Sequence, residues 1–116
     1  MAYGQVTQTF SVPGGAGSYA PEVIQFRQQQ ERGTHDDVSE LTLMIESLPA
    51  TAEIEVDLLR PGGNPDGGDA HYLLAVQSHN TVGLKAILQL AAWKGGRVRA
   101  KSGGTGGNAV VHAAWW

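Results

Sequence analysis

The chain of 116 residues contains no cysteine. Disulfide bonds are therefore excluded, and so is any zinc or iron–sulfur site built from cysteine. No apolar run approaches the ~18 residues of a membrane-spanning helix, so we predict no contact with a membrane. The N-terminus lacks a basic segment followed by an apolar one, and no signal peptide is expected. The length favours a single domain over residues 1–116.

Charged residues are few and unevenly distributed. Residues 1–84 hold all 11 acidic residues and three arginines, a net charge of −8, whereas residues 85–116 hold five basic residues and no acidic one. Either the basic segment pairs with acidic strands of the same chain, or it forms a basic face for an acidic partner. On the second interpretation Arg97, Arg99 and Lys101 are candidate partner-binding residues. Nucleic acid is not a predicted partner, because the whole chain is acidic and no aromatic residues alternate with the basic ones.

Alternation of apolar and polar residues predicts short strands along most of the chain. Turn-forming residues separate these segments at roughly ten-residue spacing, which is typical of an all-β sandwich or barrel. The predicted strands are 5–12, 23–26, 40–47, 52–60, 71–77, 84–93, 97–101 and 108–116. Segment 84–93 also has the composition of a helix. We favour a strand there because the neighbouring segments are strands.

Two pairs of consecutive strands are predicted to form hairpins, since short connections join them. These pairs are 40–47 with 52–60, and 97–101 with 108–116. In the first pair Glu53, Glu55 and Asp57 alternate with apolar residues and are expected to face solvent. Residues 1–19, with their glycine-rich loop, are considered as an extended arm that orders on binding.

No catalytic arrangement is visible in the sequence. Residues 104–109 match the pattern Gly-x-Gly-x-x-Ala, but only seven residues follow, too few for the helix that binds pyrophosphate. The four histidines lack metal-binding spacing, and Asn64, Asp66 and Asp69 do not match an EF-hand loop. Three acidic residues on one solvated strand do not provide the different environments that catalytic carboxylates need. We therefore predict no enzyme activity, no metal and no cofactor.

The chain ends on two tryptophans, Trp115 and Trp116. Adjacent residues of a strand point to opposite faces, so at most one of the two is expected in the core. Tryptophan is enriched among the hot spots of protein interfaces, and it also stacks on sugar rings. Both residues are therefore candidate partner-binding residues, and a carbohydrate-binding β-sandwich is an open alternative.

Residues 88–116 carry a Trp93-Lys94-Gly95-Gly96 turn, the basic strand 97–101, the run Lys101-Ser102-Gly103-Gly104-Thr105 and a terminal strand ending in tryptophan. In this order they resemble the capsid decoration (cement) proteins of tailed bacteriophages. The resemblance implies an antiparallel, jelly-roll-like β-sandwich without enzyme activity. It further implies binding to the major capsid protein on the outside of the virion, as a homo-oligomer (a trimer or dimer), after synthesis in the host cytoplasm. A tail or head-fibre accessory protein is the alternative of similar fold.

Overall fold

The structure, a computed structural model, describes residues 4–27, 40–89 and 95–116. These residues form eight strands and one turn of 3-10 helix. The strands are β1 Gly4–Val12, β2 Ile24–Arg27, β3 Glu40–Ser47, β4 Glu53–Leu59, β5 Tyr72–His79, β6 Gly83–Gln89, β7 Gly95–Lys101 and β8 Gly107–Trp115, and the 3-10 helix is Asp69–His71. The predicted all-β class with about eight short strands is confirmed.

The strands form two four-stranded antiparallel sheets. Sheet 1 has the order β1-β8-β3-β6, and sheet 2 has the order β2-β7-β4-β5. Consecutive strands therefore alternate between the sheets except at β4–β5, which is the connectivity of a jelly roll. The prediction of an antiparallel, jelly-roll-like β-sandwich is confirmed.

Both predicted hairpins are wrong. β3 belongs to sheet 1 and β4 to sheet 2, and β7 and β8 are likewise in different sheets. Their short connections cross the ~10 Å between the two layers instead of turning back within one sheet. With this connectivity β7 and β8 are central strands, each paired with a neighbouring strand on both sides.

The described residues also bear on the predicted strand 84–93 and on the proposed arm 1–19. Gly83–Gln89 is strand β6, so the strand is confirmed there and the helix is excluded, whereas residues 90–93 of the predicted segment lie outside the described residues. Residues 4–12 of the proposed arm are strand β1, which pairs with β8 along its whole length. The arm is therefore wrong for these residues, and the reason is that Phe10 and Val12 are buried in the core.

The core lies between the inner faces of the sheets, where every second residue of the central strands points. Sheet 1 contributes Phe10, Val12, Leu41, Leu43, Ile45, Ala109, Val111, Ala113 and Trp115. Sheet 2 contributes Ile24, Phe26, Ile54, Val56, Leu58, Val98 and Ala100. Full burial of one large side chain of this kind contributes about 1.5–3 kcal/mol, so the two layers are held together mainly by this apolar contact.

Candidate partner-binding face

The outer faces of the two sheets differ in character. The outer face of sheet 2, here called the covered face, consists of the charged residues Glu53, Glu55, Asp57, Arg97, Arg99 and Lys101. It is overlaid by Tyr19 from the β1–β2 connection, by Asp69 of the 3-10 helix and by Tyr72, the first residue of β5. The outer face of sheet 1, here called the open face, includes Gln5, Thr7, Thr42, Met44, Glu46, His112 and Ala114. One outer face of the sandwich is therefore charged and covered, and the other is accessible.

On the covered face, opposite charges stand directly across from each other on β4 and β7. Glu53 pairs with Lys101, Glu55 with Arg99 and Asp57 with Arg97. Cross-strand pairs of opposite charge stabilise a sheet, whereas like charges in these positions would repel. The acidic residues of β4 and the basic residues of the C-terminal segment therefore pair with each other within the fold.

Asp57 is the centre of this charge cluster and is fully buried. Its Oδ2 lies 2.8 Å from Arg97 Nε and 2.8 Å from Arg99 Nε, and its Oδ1 accepts a hydrogen bond from the Ala75 N–H at 2.7 Å. The Arg99 Nε–H is not aligned for a hydrogen bond, so this contact is a close ion pair only. One carboxylate thereby contacts two arginines and holds the backbone of β5 at Ala75.

Asp69 and the two tyrosines close the cluster from above. Arg97 Nη2 donates to Asp69 Oδ1 at 2.6 Å, and this hydrogen bond lowers the pKa of Asp69 below its usual range. The guanidinium of Arg97 lies 4.1 Å from the ring centre of Tyr72, and that of Arg99 lies 3.9 Å from the ring centre of Tyr19. Such cation–π contacts are strongest where water is excluded.

The Tyr19 hydroxyl donates to Glu55 Oε1 at 2.7 Å. Burial and this hydrogen bond to a carboxylate together raise the pKa of Tyr19 to about 12. The Tyr72 hydroxyl donates to the Pro65 carbonyl at 2.6 Å, which ties the long β4–β5 connection to the sheet. Two connections far apart in the sequence thus cover one ionic cluster.

Three of the predicted partner-binding residues lie in this cluster. Arg97 is 9% exposed and Arg99 is 7% exposed, and both already contact acidic side chains of the same chain. Lys101 is more accessible, with its Nζ 3.8 Å from Glu55 Oε2. The first interpretation, intramolecular pairing, fits these contacts, and a free basic face formed by the two arginines does not. The prediction that Glu55 and Asp57 face solvent is wrong, because the overlying tyrosines exclude it.

The two terminal tryptophans point to opposite sides, as predicted. Trp115 is buried in the core, its ring centre 6.4 Å from that of Phe26, and its Nε1 donates to the Arg27 carbonyl at 3.1 Å. Trp116 is half-buried, and its backbone N–H and C=O both pair with Glu40. Trp115 is therefore a core residue, and of the pair only Trp116 remains a candidate surface contact.

A row of three polar side chains crosses the open face. His112 of β8 lies between Thr7 of β1 and Glu46 of β3, with Nδ1 2.7 Å from Thr7 Oγ1 and Nε2 2.9 Å from Glu46 Oε1. Thr7 stands directly opposite His112 in the register of the two strands. The sequence analysis missed this row because its members are far apart in the chain and share no spacing motif.

A hydroxyl, an imidazole and a carboxylate in this order are also the components of a hydrolase triad. Acyl transfer additionally needs donors that converge on the developing oxyanion. Thr7 projects from a regular strand whose backbone N–H groups lie in the plane of the sheet, so they do not converge above the hydroxyl. Within the described residues the row therefore works as a hydrogen-bonded brace across three strands.

A half-open groove of ≈ 150 Å³ lies beside this row. Its lining includes Gln5, Thr42, Met44, His112 and Ala114. The small side chain of Ala114 leaves this space beside the larger His112, which precedes it by two positions on the same face of β8. The open face thus combines hydrogen-bonding groups with a recess, as a partner-binding surface requires.

Exposed apolar side chains adjoin the groove. Met44 of β3 is 44% exposed, and Leu84, its cross-strand neighbour on β6, is 70% exposed. Val82, in the turn before β6, is 58% exposed. A cluster of large exposed apolar side chains next to a polar recess is characteristic of interaction sites.

The described residues were also considered as ligands for ions. Among them, no group of three or more His, Asp or Glu side chains is placed to hold a metal. Asp69 binds Arg97, and the Asn64 side chain accepts the Asp66 N–H at 3.0 Å, so this loop directs its oxygens toward the protein. In the same described ranges, no helix is long and apolar enough to cross a membrane.

Comparison with known proteins finds no matching family model, no matching curated protein and no matching solved structure.

Proposed function

We propose that the chain is a non-enzymatic virion protein of a tailed bacteriophage that binds the outer surface of the capsid and stabilises the shell. The observation that carries the binding role is the difference between the two outer faces. The covered face is closed over charges that neutralise each other, whereas the open face presents a groove and exposed apolar side chains. The resemblance of residues 88–116 to decoration proteins supports the virion location.

The partner in this proposal is the major capsid protein, contacted through the open face. Around the groove the face carries amide, hydroxyl and imidazole groups, with Met44 and Leu84 as apolar contacts. A repeated capsid surface offers many identical sites, so a modest affinity for each is sufficient if the decoration protein is itself an oligomer. A rigid two-layer sandwich suits this role because little conformational freedom is lost on binding.

Two alternative functions differ from the capsid proposal, one in its ligand and the other in its location in the virion. A carbohydrate-binding module would stack sugar rings on exposed aromatic side chains, but Trp115 is in the core. A tail or head-fibre accessory would use the same open face on another virion partner. Of the three, the capsid surface is the site that residues 88–116 favour.

Co-sedimentation of the purified chain with expanded phage heads, stripped of accessory proteins, tests this proposal. We expect saturable binding at a fixed ratio to the major capsid protein. Because the arginines are paired internally, the affinity should change by less than about threefold between about 0.05 and 0.5 M salt. Absence of binding to heads, with recovery in the tail fraction or on a glycan array instead, contradicts the capsid proposal.

A further inference from the structure

The edge strands of the sandwich differ in their protection against pairing with another chain. Unpaired backbone groups at a sheet edge recruit further strands unless the edge is short, charged, bulged or interrupted. β2 has only four residues and follows Pro21. β5 bulges around Ala75, whose φ is 51°. β6 has a register shift against β3 and carries Lys85.

The fourth edge strand, β1, has none of these features. Its nine residues, Gly4–Val12, include no charged residue and no proline. Its register with β8 continues from end to end without a shift. A long, regular and uncharged edge of this kind is the arrangement that most readily accepts another strand.

The direction of the free backbone groups follows from one hydrogen bond. The Ser11 N–H donates to Glu22 Oε1 at 2.7 Å, so residue 11 points to the free edge and not to β8. Backbone groups of a strand alternate in direction, and the register is continuous, so Gln5, Thr7 and Thr9 point to the same edge. Glu22 therefore covers the edge at residue 11. The backbone groups of the three preceding edge-facing residues, Gln5, Thr7 and Thr9, point to the free edge.

We propose that β1 pairs with β1 of a second copy of this chain, antiparallel about a two-fold axis at Thr7. Thr7 then faces Thr7 of the second copy, and Gln5 faces Thr9 of the second copy, with backbone hydrogen bonds exchanged at each position. The second copy is the fitting occupant because these three positions are complementary to themselves and carry no charge. The Thr9 carbonyl, which accepts from Gln8 Nε2 in the single chain, exchanges that donor for a backbone N–H.

This pairing joins two four-stranded sheets into one sheet of eight strands. A two-fold axis perpendicular to the joined sheet leaves both open faces on the same side. Of the two oligomers that the sequence resemblance implies, this geometry selects the dimer. The inference does not rest on capsid binding, because it concerns the purified chain alone.

The first test compares two lysine variants by sedimentation equilibrium over a series of concentrations. The wild-type chain is expected to reach the mass of a dimer. Thr9→Lys places a charge in the edge and is expected to halve that mass, whereas Thr105→Lys makes the same exchange in an exposed loop and is expected to leave it unchanged. Thr9→Pro removes only an outward N–H and serves as a second edge variant. A wild-type chain that stays monomeric, or a folded Thr9→Lys chain that stays dimeric, overturns the proposal.

The second test fixes the register. Because the chain has no cysteine, Thr7→Cys introduces one thiol per copy. Directly opposed residues of a hydrogen-bonded pair have Cα atoms about 5.5 Å apart, within the range of a disulfide. Thr7→Cys is expected to cross-link rapidly under mild oxidation, and Thr105→Cys is not. Equal rates for the two variants overturn the two-fold pairing, while binding to heads by a monomeric chain would still support the proposed function.

Discussion

At the scale of single residues, Asp57 links two sheet strands and a third through buried polar contacts. It is fully buried, and it contacts Arg97, Arg99 and the backbone of Ala75. Moving a charged side chain from water into the protein interior costs free energy. At Asp57 this cost is offset because Arg97 and Arg99 supply positive charge and the Ala75 N–H supplies a hydrogen-bond donor. Loss of this one carboxylate leaves Arg97 with the exposed Asp69 as its acidic partner, and Arg99 with Glu55 and Asp69 at 3.9 and 3.7 Å.

Replacing Asp57 with asparagine is therefore expected to destabilise the protein strongly. Asparagine keeps the size of the side chain but removes the charge, and breaking a buried ion pair costs about 3–5 kcal/mol. Urea denaturation measures the effect. Asp66→Asn, at an exposed position of the β4–β5 connection, is the matched control and is expected to stay within about 0.5 kcal/mol of the wild type. Equal stability of the two variants would show that the cluster does not hold the fold.

Tyr19 is expected to titrate abnormally. Its pKa is raised to about 12 by burial and by the hydrogen bond to Glu55. Because the folded state favours the protonated hydroxyl, this stabilisation is complete below the ordinary pKa of 10.0 and is lost as the pH rises toward 12. Ultraviolet titration should show the late ionisation. Tyr19→Phe should remove the Tyr19 part of it and leave that of Tyr72, whose pKa is also raised by burial.

Glu55→Gln provides the control for the cause of this shift. The glutamine still accepts a hydrogen bond but carries no charge, so the pKa of Tyr19 should fall toward its ordinary value. An unchanged late titration in Glu55→Gln would mean that the hydrogen bond to the carboxylate is not responsible.

At the scale of elements, the strands were predictable and their partners were not. Alternation of apolar and polar residues marks strands such as 53–59 locally, because successive side chains of a strand point to opposite faces. Whether the next strand joins the same sheet depends on where the connection leads. The connections at 48–52 and 102–106 cross between the layers, and nothing in their composition distinguishes such a crossing from a hairpin turn.

The burial of Glu55 and Asp57 was unpredictable for a related reason. Alternation separates the two faces of a strand, but it does not tell whether a distant connection covers the polar face. Tyr19 and Tyr72, which are far apart in the sequence, provide that cover. The complementary charges of β4 and β7 were the available signal, and they did indicate intramolecular pairing.

The tight contact of β7 with its neighbours depends on Gly96. A Cβ at this position would collide with the Asp57 carbonyl and the Phe26 ring. Gly96→Ala is therefore expected to lower the free energy of unfolding by about 1–3 kcal/mol. Gly68→Ala is the control, because nothing lies near its Cβ and its φ of −75° suits alanine. Thermal unfolding of both variants checks this, and equal melting temperatures would contradict the packing described for β7.

At the scale of the whole molecule, the covered face is closed over paired charges, and the open face is the one that we propose binds a partner. The resemblance of residues 88–116 suggested a binding protein, but it did not indicate the face. Thr7, Glu46 and His112 come together only through the strand order β1-β8-β3, so no local pattern could assign them to one site. Of the terminal tryptophans, the period of two predicted that at most one would be internal, without telling which.

The proposed dimer and the proposed function support each other at this scale. A continuous eight-stranded sheet would present two open faces side by side to a repeated lattice. Two linked sites raise the overall affinity well above that of either alone, provided that the spacing of the lattice allows both to engage. Thr9→Pro, which removes an outward backbone N–H of β1, is accordingly expected to weaken attachment to heads.

The most direct test of the account is attachment of an open-face variant to stripped phage heads. Ala114→Arg fills the groove with a long charged side chain, and Thr105→Arg introduces the same side chain in an exposed loop away from that groove. With both variants shown to be folded, we expect Thr105→Arg to saturate the heads as the wild type does and Ala114→Arg to lose at least about tenfold in affinity. Equal binding of the two variants would contradict the assignment of the open face as the capsid-binding surface.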